Sequence, residues 1–339
     1  MRPTTKDLAK AAGVSLATID RVLNGRAGVR KKTVDAVNEA IEKIGFERNQ
    51  VAATLARQRG YRFGFVLPLV GDEFLAEILA RIQELDRAGR AEMMEAKVIR
   101  LDEHDPHKVA RSLARLTVDD YDGIAIMAPE TPQIRDALLR MRERGIETLP
   151  FVSNQQNLDG QTFVGIDNKA AGATAGRLMA RFLGRTEGSI VVLTETMQSR
   201  DSLERRLGFD AILRDHPHLR VLPTLETHGD ADRTERVLRN AFSTHGDIAG
   251  LYLMGPEARI PLEVLRALGP PSDQVTIAHE RTPSTEAALR DGEVDVVISQ
   301  DPGHLVRSAM RIMRAKCERR ATLASQERIR IEILIAENM

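Results

Sequence analysis

One cysteine, Cys317, stands in the whole chain, so no disulfide forms within it and a disulfide-stapled fold is excluded. Such usage fits a reducing cytoplasm. No stretch approaches the ~20 consecutive apolar residues that a bilayer-spanning helix requires. Residues 1–3 lead straight into a helical pattern with no apolar secretory region. A cytoplasmic protein with no membrane association is therefore expected. Catalytic signatures are also missing: there is no phosphate-cradling glycine loop, no nucleophile elbow and no His-Glu-x-x-His helix. His104-x-x-His107 and His216-Pro-His218 fall in polar loops and read as surface histidines. No metal, no cofactor and no enzymatic activity are expected.

Net charge is zero, yet charge is unevenly spread. Residues 1–60 hold 12 Lys/Arg against 6 Asp/Glu, and the remainder holds 37 against 43, so a segment of +6 precedes a body of −6. A basic end suits contact with phosphates, and an acidic body discourages nucleic acid from binding elsewhere. The basic segment reads as short helices. Residues 7–11 carry Leu8, Ala9 and Ala11 at helical spacing, and Gly13 ends the run because glycine takes a left-handed backbone at no steric cost. Ser15 is placed to cap a second helix in which Ile19, Val22 and Leu23 recur at three- and four-residue steps, until Asn24-Gly25 stops it. Residues 33–44 predict a third helix, with Val34, Val37, Ala40, Ile41 and Ile44 on one face and Gly45 at its end. A helix–turn–helix of this kind sets its second helix in the DNA major groove.

The residues here match a specific pattern. Thr5, Asp7-Leu8-Ala9, Ala12-Gly13-Val14-Ser15, Thr18, Arg21-Val22-Leu23-Asn24 and Val29 to Thr33 resemble the DNA-binding headpiece of the lac repressor (LacI/GalR) family across residues 4–56. The resemblance implies a headpiece over residues 1–48 and a hinge helix with linker over 49–60. Leu16 and Ala17 then open the recognition helix, with Arg21 one turn later and able to pair bidentately with guanine, a contact worth ~1–3 kcal/mol. Thr5, Ser15, Thr18, Asn24 and Arg30 are phosphate-contacting or capping groups, which position without specifying sequence. Asp20 stands where the family usually has serine and favours an intramolecular partner such as Arg21. In the hinge, Asn49 and Ala52 lie beside Leu55, the implied apolar wedge between base steps; the bland alternative is a plain linker leucine. Arg48 departs from the proline common there.

From residue 61 the periodicity changes. Apolar runs at 63–67, 98–101, 123–127, 148–152, 163–166, 189–193, 219–222, 248–254, 275–278 and 294–298 alternate with helical stretches at 74–87, 106–116, 132–144, 169–183 and 203–214. This order predicts parallel sheets covered on both faces, and about ten strands divide more readily into two doubly wound lobes than into one sheet. The fold class expected is an all-α helix–turn–helix headpiece followed by an α/β core of two doubly wound parallel-sheet lobes. That core is similar to the periplasmic-binding-protein-like core of the same family over residues 61–339. By that resemblance, one lobe comprises residues 61–165 and 300–326, the other 166–299 and 327–339, and the chain crosses between them near Ile166, Ser299 and the final strand, 328–334.

Ligands of such sheets sit beyond the strand carboxyl ends. Asp72, Phe74, Asn154, Asp167, Arg205, Glu280, Gln300 and Asp301 fall there, a set of paired donors, acceptors and one ring that suits a hydroxylated ligand. Arg205, three before Gly208-Phe209, matches the family's ligand-binding arginine. Asp167 and Asp301 carry an open alternative, because each also precedes a helix that it could cap. Gly255-Pro256 replaces the usual Asn-Asp, and Glu280 stands for the usual Asp, so the ligand differs from a simple hexose. The expected function is a homodimeric, effector-controlled transcription regulator, a repressor of a carbohydrate or polyol uptake and catabolism operon. Its expected partners are pseudo-palindromic operator DNA and a small effector. A non-sugar metabolite is the alternative effector. A solute-binding protein is the other class, opposed by the headpiece and the missing signal region. The ending 336–339 adds no heptad helix, which favours a dimer over a tetramer.

Overall fold

The computed structural model describes residues 3–23, 28–46, 60–89, 93–102, 105–155, 162–269 and 273–339. The expectations for Asn24, Asn49, Ala52, Leu55 and His104 lie outside those residues. The chain divides at Gly60 into two compact units.

The first unit contains α1 (Thr5–Ala12), α2 (Leu16–Leu23) and α3 (Lys31–Ile44). A reciprocal pair of bonds starts α1: Asp7 N donates to Thr4 Oγ1 at 3.3 Å, and Thr4 N donates to Asp7 Oδ2 at 2.8 Å. Gly13 takes a left-handed backbone, φ 63°, and Ser15 Oγ then accepts from Thr18 N at 3.1 Å. Leu8, Ile19 and Val37, one from each helix, are buried together with Ala9, Ala40 and Phe46. Among the described residues of this unit the buried apolar side chains are few, so each one matters.

The second unit is built on two sheets. The first contains β1 (Tyr61–Pro68), β2 (Met94–Leu101), β3 (Gly123–Ile126) and β4 (Glu147–Pro150) in the order β2-β1-β3-β4, all parallel. The second contains β5 (Gly188–Thr194), β6 (Leu219–Val221), β7 (Leu225–Glu226), β8 (Ile248–Leu253), β9 (Val275–His279), β10 (Val296–Ser299) and β11 (Glu332–Leu334). Its order is β11-β10-β9-β8-β5-β6, with β7 beside β5. Two differences from the sequence reading stand out. The run 163–166 is no strand: only Val164 pairs, through a single bridge to Phe151, where the chain leaves one sheet for the other. In addition β11 is antiparallel to β10, so the second sheet is not wholly parallel.

Helices α4 (Glu73–Gly89), α5 (Pro106–Ala114) and α6 (Pro132–Glu143) belong to the first sheet, joined late in the chain by α12 (Pro302–Cys317). Lys316 Nζ ties α12 to the carbonyl of Thr148 at 3.0 Å, and Cys317 packs half-buried beside the same core. The second sheet carries α7 (Asn168–Leu183), α8 (Arg200–Leu213), α9 (Ala231–Thr244), α10 (Arg259–Leu268) and α11 (Pro283–Arg290), and the short α13 (Ala324–Glu327) follows α12. Among the described residues no helix is long and apolar enough to cross a membrane.

The closest helix pair is α7 with α8. Gly172 of α7 faces the backbone of Arg205, and Gly208 of α8 faces the backbone of Lys169, and a methyl at either would strike a carbonyl oxygen. Glycine is needed because the two backbones touch. Gly208→Ala is therefore expected to lower stability by about 1–3 kcal/mol through overpacking. Thermal unfolding checks it, and an unchanged midpoint would contradict the close crossing.

Candidate functional site

The two sheets bring their strand carboxyl ends to a shared cleft. In each, the strand order reverses once: between β1 and β3, and between β5 and β8. A crevice opens at such a reversal because successive connections leave to opposite sides. Asp72 follows β1, Glu195 follows β5, and Gly255 and Glu257 follow β8. Glu280 and Gln300 follow β9 and β10.

Arg205 is the centre of the second sheet's contribution. The α7–α8 crossing carries it beneath the strand ends, where it is only 5% exposed. Its Nε donates to Asn168 Oδ1 at 2.8 Å, Nη1 to the Met254 carbonyl at 3.0 Å and Nη2 to Glu280 Oε1 at 3.0 Å. Gln300 Nε2 donates to the same Glu280 oxygen at 3.1 Å. Glu280 itself is 1% exposed and adopts a left-handed backbone, φ 62°. A non-glycine residue held there carries strain of order 1 kcal/mol, and it is fixed by Glu280 N donating to the Ile298 carbonyl at 2.9 Å. Below the arginine, Phe209 stacks on Tyr252 at 4.5 Å, and the Tyr252 hydroxyl bonds His279 Nε2 at 2.8 Å.

Carboxylates dominate the rest. Burial pushes Glu195 and Glu280 up to about 7, against Arg205, which draws Glu280 down. Burial likewise raises Asp72, Glu257 and Asp201 above the ordinary carboxyl range. Burial holds His279 well below its ordinary value, so it is neutral. Glu195 Oε1 accepts from Glu257 N at 2.7 Å, and its other oxygen fills the space above Gly255 that a side chain would need. That explains the glycine: the position usually held by a polar side chain is taken by a carboxylate from the neighbouring strand.

The cleft is bridged from sheet to sheet. Ser284 Oγ donates to Glu73 Oε1 at 2.9 Å and Ser284 N to Glu73 Oε2 at 3.1 Å. Arg200 Nη1 meets Glu130 Oε2 at 2.9 Å, and Ser153 Oγ donates to Asp201 Oδ2 at 2.9 Å.

The sequence-selected residues separate into three groups. Arg205, Glu280 and Gln300 are bonded together, with Asp72 close enough to repel Glu280. Asp72 also caps α4, its Oδ1 accepting from Leu75 N at 2.8 Å. Asp167 and Asp301 are the capping residues of α7 and α12, accepting from Ala170 N at 2.9 Å and Gly303 N at 2.7 Å; of the two roles left open for them, the cap is the one seen. Phe74 is buried in the hydrophobic core and Asn154 is half-buried. Asn168, Glu195, Asp201 and Glu257 were not singled out from sequence. Asn168 sits one residue beyond Asp167, and its buried amide bridges Arg205 and Asp201. Strand-end position was the signal available for Glu195 and Glu257.

In the headpiece, Leu16, Ala17 and Arg21 face solvent at the start of α2 and one turn on, whereas Ile19 is buried. Thr5 and Arg30 are exposed, and Ser15 and Thr18 are joined to each other at 2.9 Å. No group of three or more possible metal ligands occurs among the described residues, His107, His216 and His218 included.

A core of two α/β lobes, preceded in the chain by a unit with three helices among its described residues, defines the class. Residues 63–321 match the periplasmic binding protein domain model, and the chain belongs to that family. Residues 4–49 match the model of bacterial regulatory proteins, lacI family, so the core carries a lacI-family headpiece. The chain is similar to catabolite control protein A of Staphylococcus xylosus, 29% identical over 38% of this chain and 37% of the relative. It is also similar to the maltose regulon regulatory protein MalI of Escherichia coli K12, 31% identical over 50% of this chain and 47% of that protein. The matched stretches thus span less than half of these relatives' length. Among solved structures, a solute-binding protein from Burkholderia graminis in complex with D-arabinose superposes with TM-score 0.71 at 19% identity, covering 83% of this chain and 96% of that one. A chain described as a LacI transcriptional regulator from Bacteroides fragilis does so with TM-score 0.71 at 19% identity, covering 83% and 98%. These two establish likeness of fold.

The raised carboxyls set a pH dependence. Glu195 has an ordinary value of 4.5 and is held at about 7 in the folded protein. Its contribution is fully present below 4.5, where both states hold the proton, and is lost as pH rises through about 7. Glu195→Gln removes that loss, so its unfolding midpoint relative to the parent protein is expected to climb between pH 5 and pH 8. A difference that stays flat across this range would show that Glu195 is ordinarily solvated.

Proposed function

We propose that this protein is an effector-responsive, DNA-binding transcription regulator, a repressor of a carbohydrate or polyol uptake and catabolism operon. The observation that carries this reading is the headpiece: α2 buries Ile19 against α1 and α3 while presenting Leu16, Ala17 and Arg21 outward. A helix held in that way is presented for major-groove reading. The maltose regulon in the name of one relative supports the carbohydrate link.

In this reading the protein is a cytoplasmic homodimer without enzymatic activity, each headpiece taking one half of a pseudo-palindromic operator. Residues 49–60 form the hinge, with Asn49, Ala52 and Leu55 at the DNA and Asn24, Thr5, Ser15, Thr18 and Arg30 positioning the headpiece. The effector lies between the lobes against Asp72, Asn154, Arg205, Glu280 and Gln300. The bonds Glu73–Ser284 and Glu130–Arg200 join the two lobes, so a ligand that favours one lobe arrangement acts on them. Its effect on DNA is a coupling free energy, equal in both directions.

Selection from random duplexes by the full chain is expected to return a two-fold symmetric site. Arg21→Ala should weaken binding to it by about 1–3 kcal/mol per half-site and relax one base-pair preference, read by gel shift or fluorescence anisotropy. Recovery of no symmetric site, or an Arg21→Ala protein that binds as before, would defeat the assignment.

A further inference from the structure

The effector cleft has a chemical bias that narrows its ligand. We infer that the effector is a small hydroxylated cation, a polyol or sugar bearing a protonated amine, rather than a neutral or phosphorylated sugar. This rests on the cleft being the effector site proposed above.

Hydrogen-bond capacity carries the inference. Each nitrogen of Arg205 donates once, to Asn168, Met254 and Glu280, and its charge is paired with Glu280. Beside this arginine two buried acceptors have no partner among the described residues, Glu280 Oε2 and Gln300 Oε1, in residues 1% and 2% exposed; His279 Nδ1 and Arg200 Nε, farther along the site, are unpartnered as well. Both atoms beside Arg205 are acceptors, since the Gln300 amide nitrogen already donates to Glu280. Glu280 is near enough to Asp72 of the opposite lobe to be repelled by it. A ligand here must supply donors, and leaving a buried acceptor unmet costs about 1–3 kcal/mol.

Charge points the same way. Asp72, Glu195 and Glu257 repel one another, and Asp72 repels Glu280 as well. The other charged groups around them are ion-paired or hydrogen-bonded: Arg205 with Glu280, Arg200 with Glu130 and Glu204 (its Nε left over), Arg259 beside Glu257 at the surface, and Asp201 with Ser153 and Asn168. His279 is neutral. A buried charge needs a partner, or it becomes protonated. Burial raises all four of these carboxyls, and a bound cation would favour their ionised form. A phosphate or sugar acid would add repulsion to this set of carboxyls. A bare metal ion is also disfavoured, because no three ligating side chains converge among the described residues. Spread carboxylates suit one ammonium group on a frame whose hydroxyls reach the other acceptors.

Matched pairs test this on the full chain at pH 7 by thermal unfolding. Protonated Tris is compared with tris(hydroxymethyl)ethane, its neutral triol counterpart, and glucosamine with glucose, all at equal concentration and ionic strength, with calcium chloride as a separate arm. The amine of each pair should raise the midpoint by a few degrees and the neutral member should not. Asp72→Asn and Glu195→Gln, both isosteric and outside the Arg205–Glu280 pair, should each reduce the amine's shift to that of its neutral partner. Equal shifts within a pair, no shift from any amine, or a larger shift from calcium would overturn the inference. The two readings fail separately. A selected operator released by neutral sugar would keep the regulator and sink the cation, whereas amine binding without any operator would do the reverse.

Discussion

The contact on which this core depends is the buried pairing of Arg205 with Glu280. Neither ion is tolerable there alone: removing one partner of a buried pair costs about 3–5 kcal/mol, because the other is left without compensation. The chain supplies what the pair needs from three separate places: Asn168 at the start of α7, the Met254 carbonyl after β8, and Gln300 after β10. One guanidinium thus fixes the ends of two strands and two helices. The strained backbone at Glu280 persists because those bonds over-determine it.

Above this fixed floor the cleft has two kinds of wall. One is the carboxylate group of Asp72, Glu195 and Glu257, contributed by both lobes. The other is the set of bonds that span the lobes at Glu73, Glu130 and Ser153. The first kind is unfavourable where it stands and the second is favourable only when the lobes meet. Bringing the lobes together therefore sets like charges near one another while making these bonds, and a ligand shifts that balance only by as much as it binds one arrangement better than the other.

Much of this was legible in the sequence. The headpiece was readable because its signals are local: Gly13, Ser15 and the apolar steps at Leu8, Ile19 and Val37 each act within one or two turns. The strands of the core were readable as apolar runs for the same reason, although the run at 163–166 turned out to make one bridge, and the direction of β11 carries no local signature. Arg205, Glu280 and Gln300 were selected by strand-end position and motif, and the fold bonds them together. Asp167 and Asp301 were ambiguous, since an acid before a helix serves as cap or as ligand contact, and only the fold shows the cap in use. Asn168 and Glu195 were missed because their roles depend on partners 37 and 62 residues away, Arg205 and Glu257.

The glycine crossing of α7 and α8 has an evolutionary consequence. With backbones in contact at Gly172 and Gly208, neither helix can slide or turn to accept a different side chain at Asn168 or Arg205. The loops after the strands are not held by this crossing, although Gly255 and Glu195 there constrain each other. Substitutions that alter what the cleft accepts are therefore accommodated in the strand-end loops and not in the helical floor.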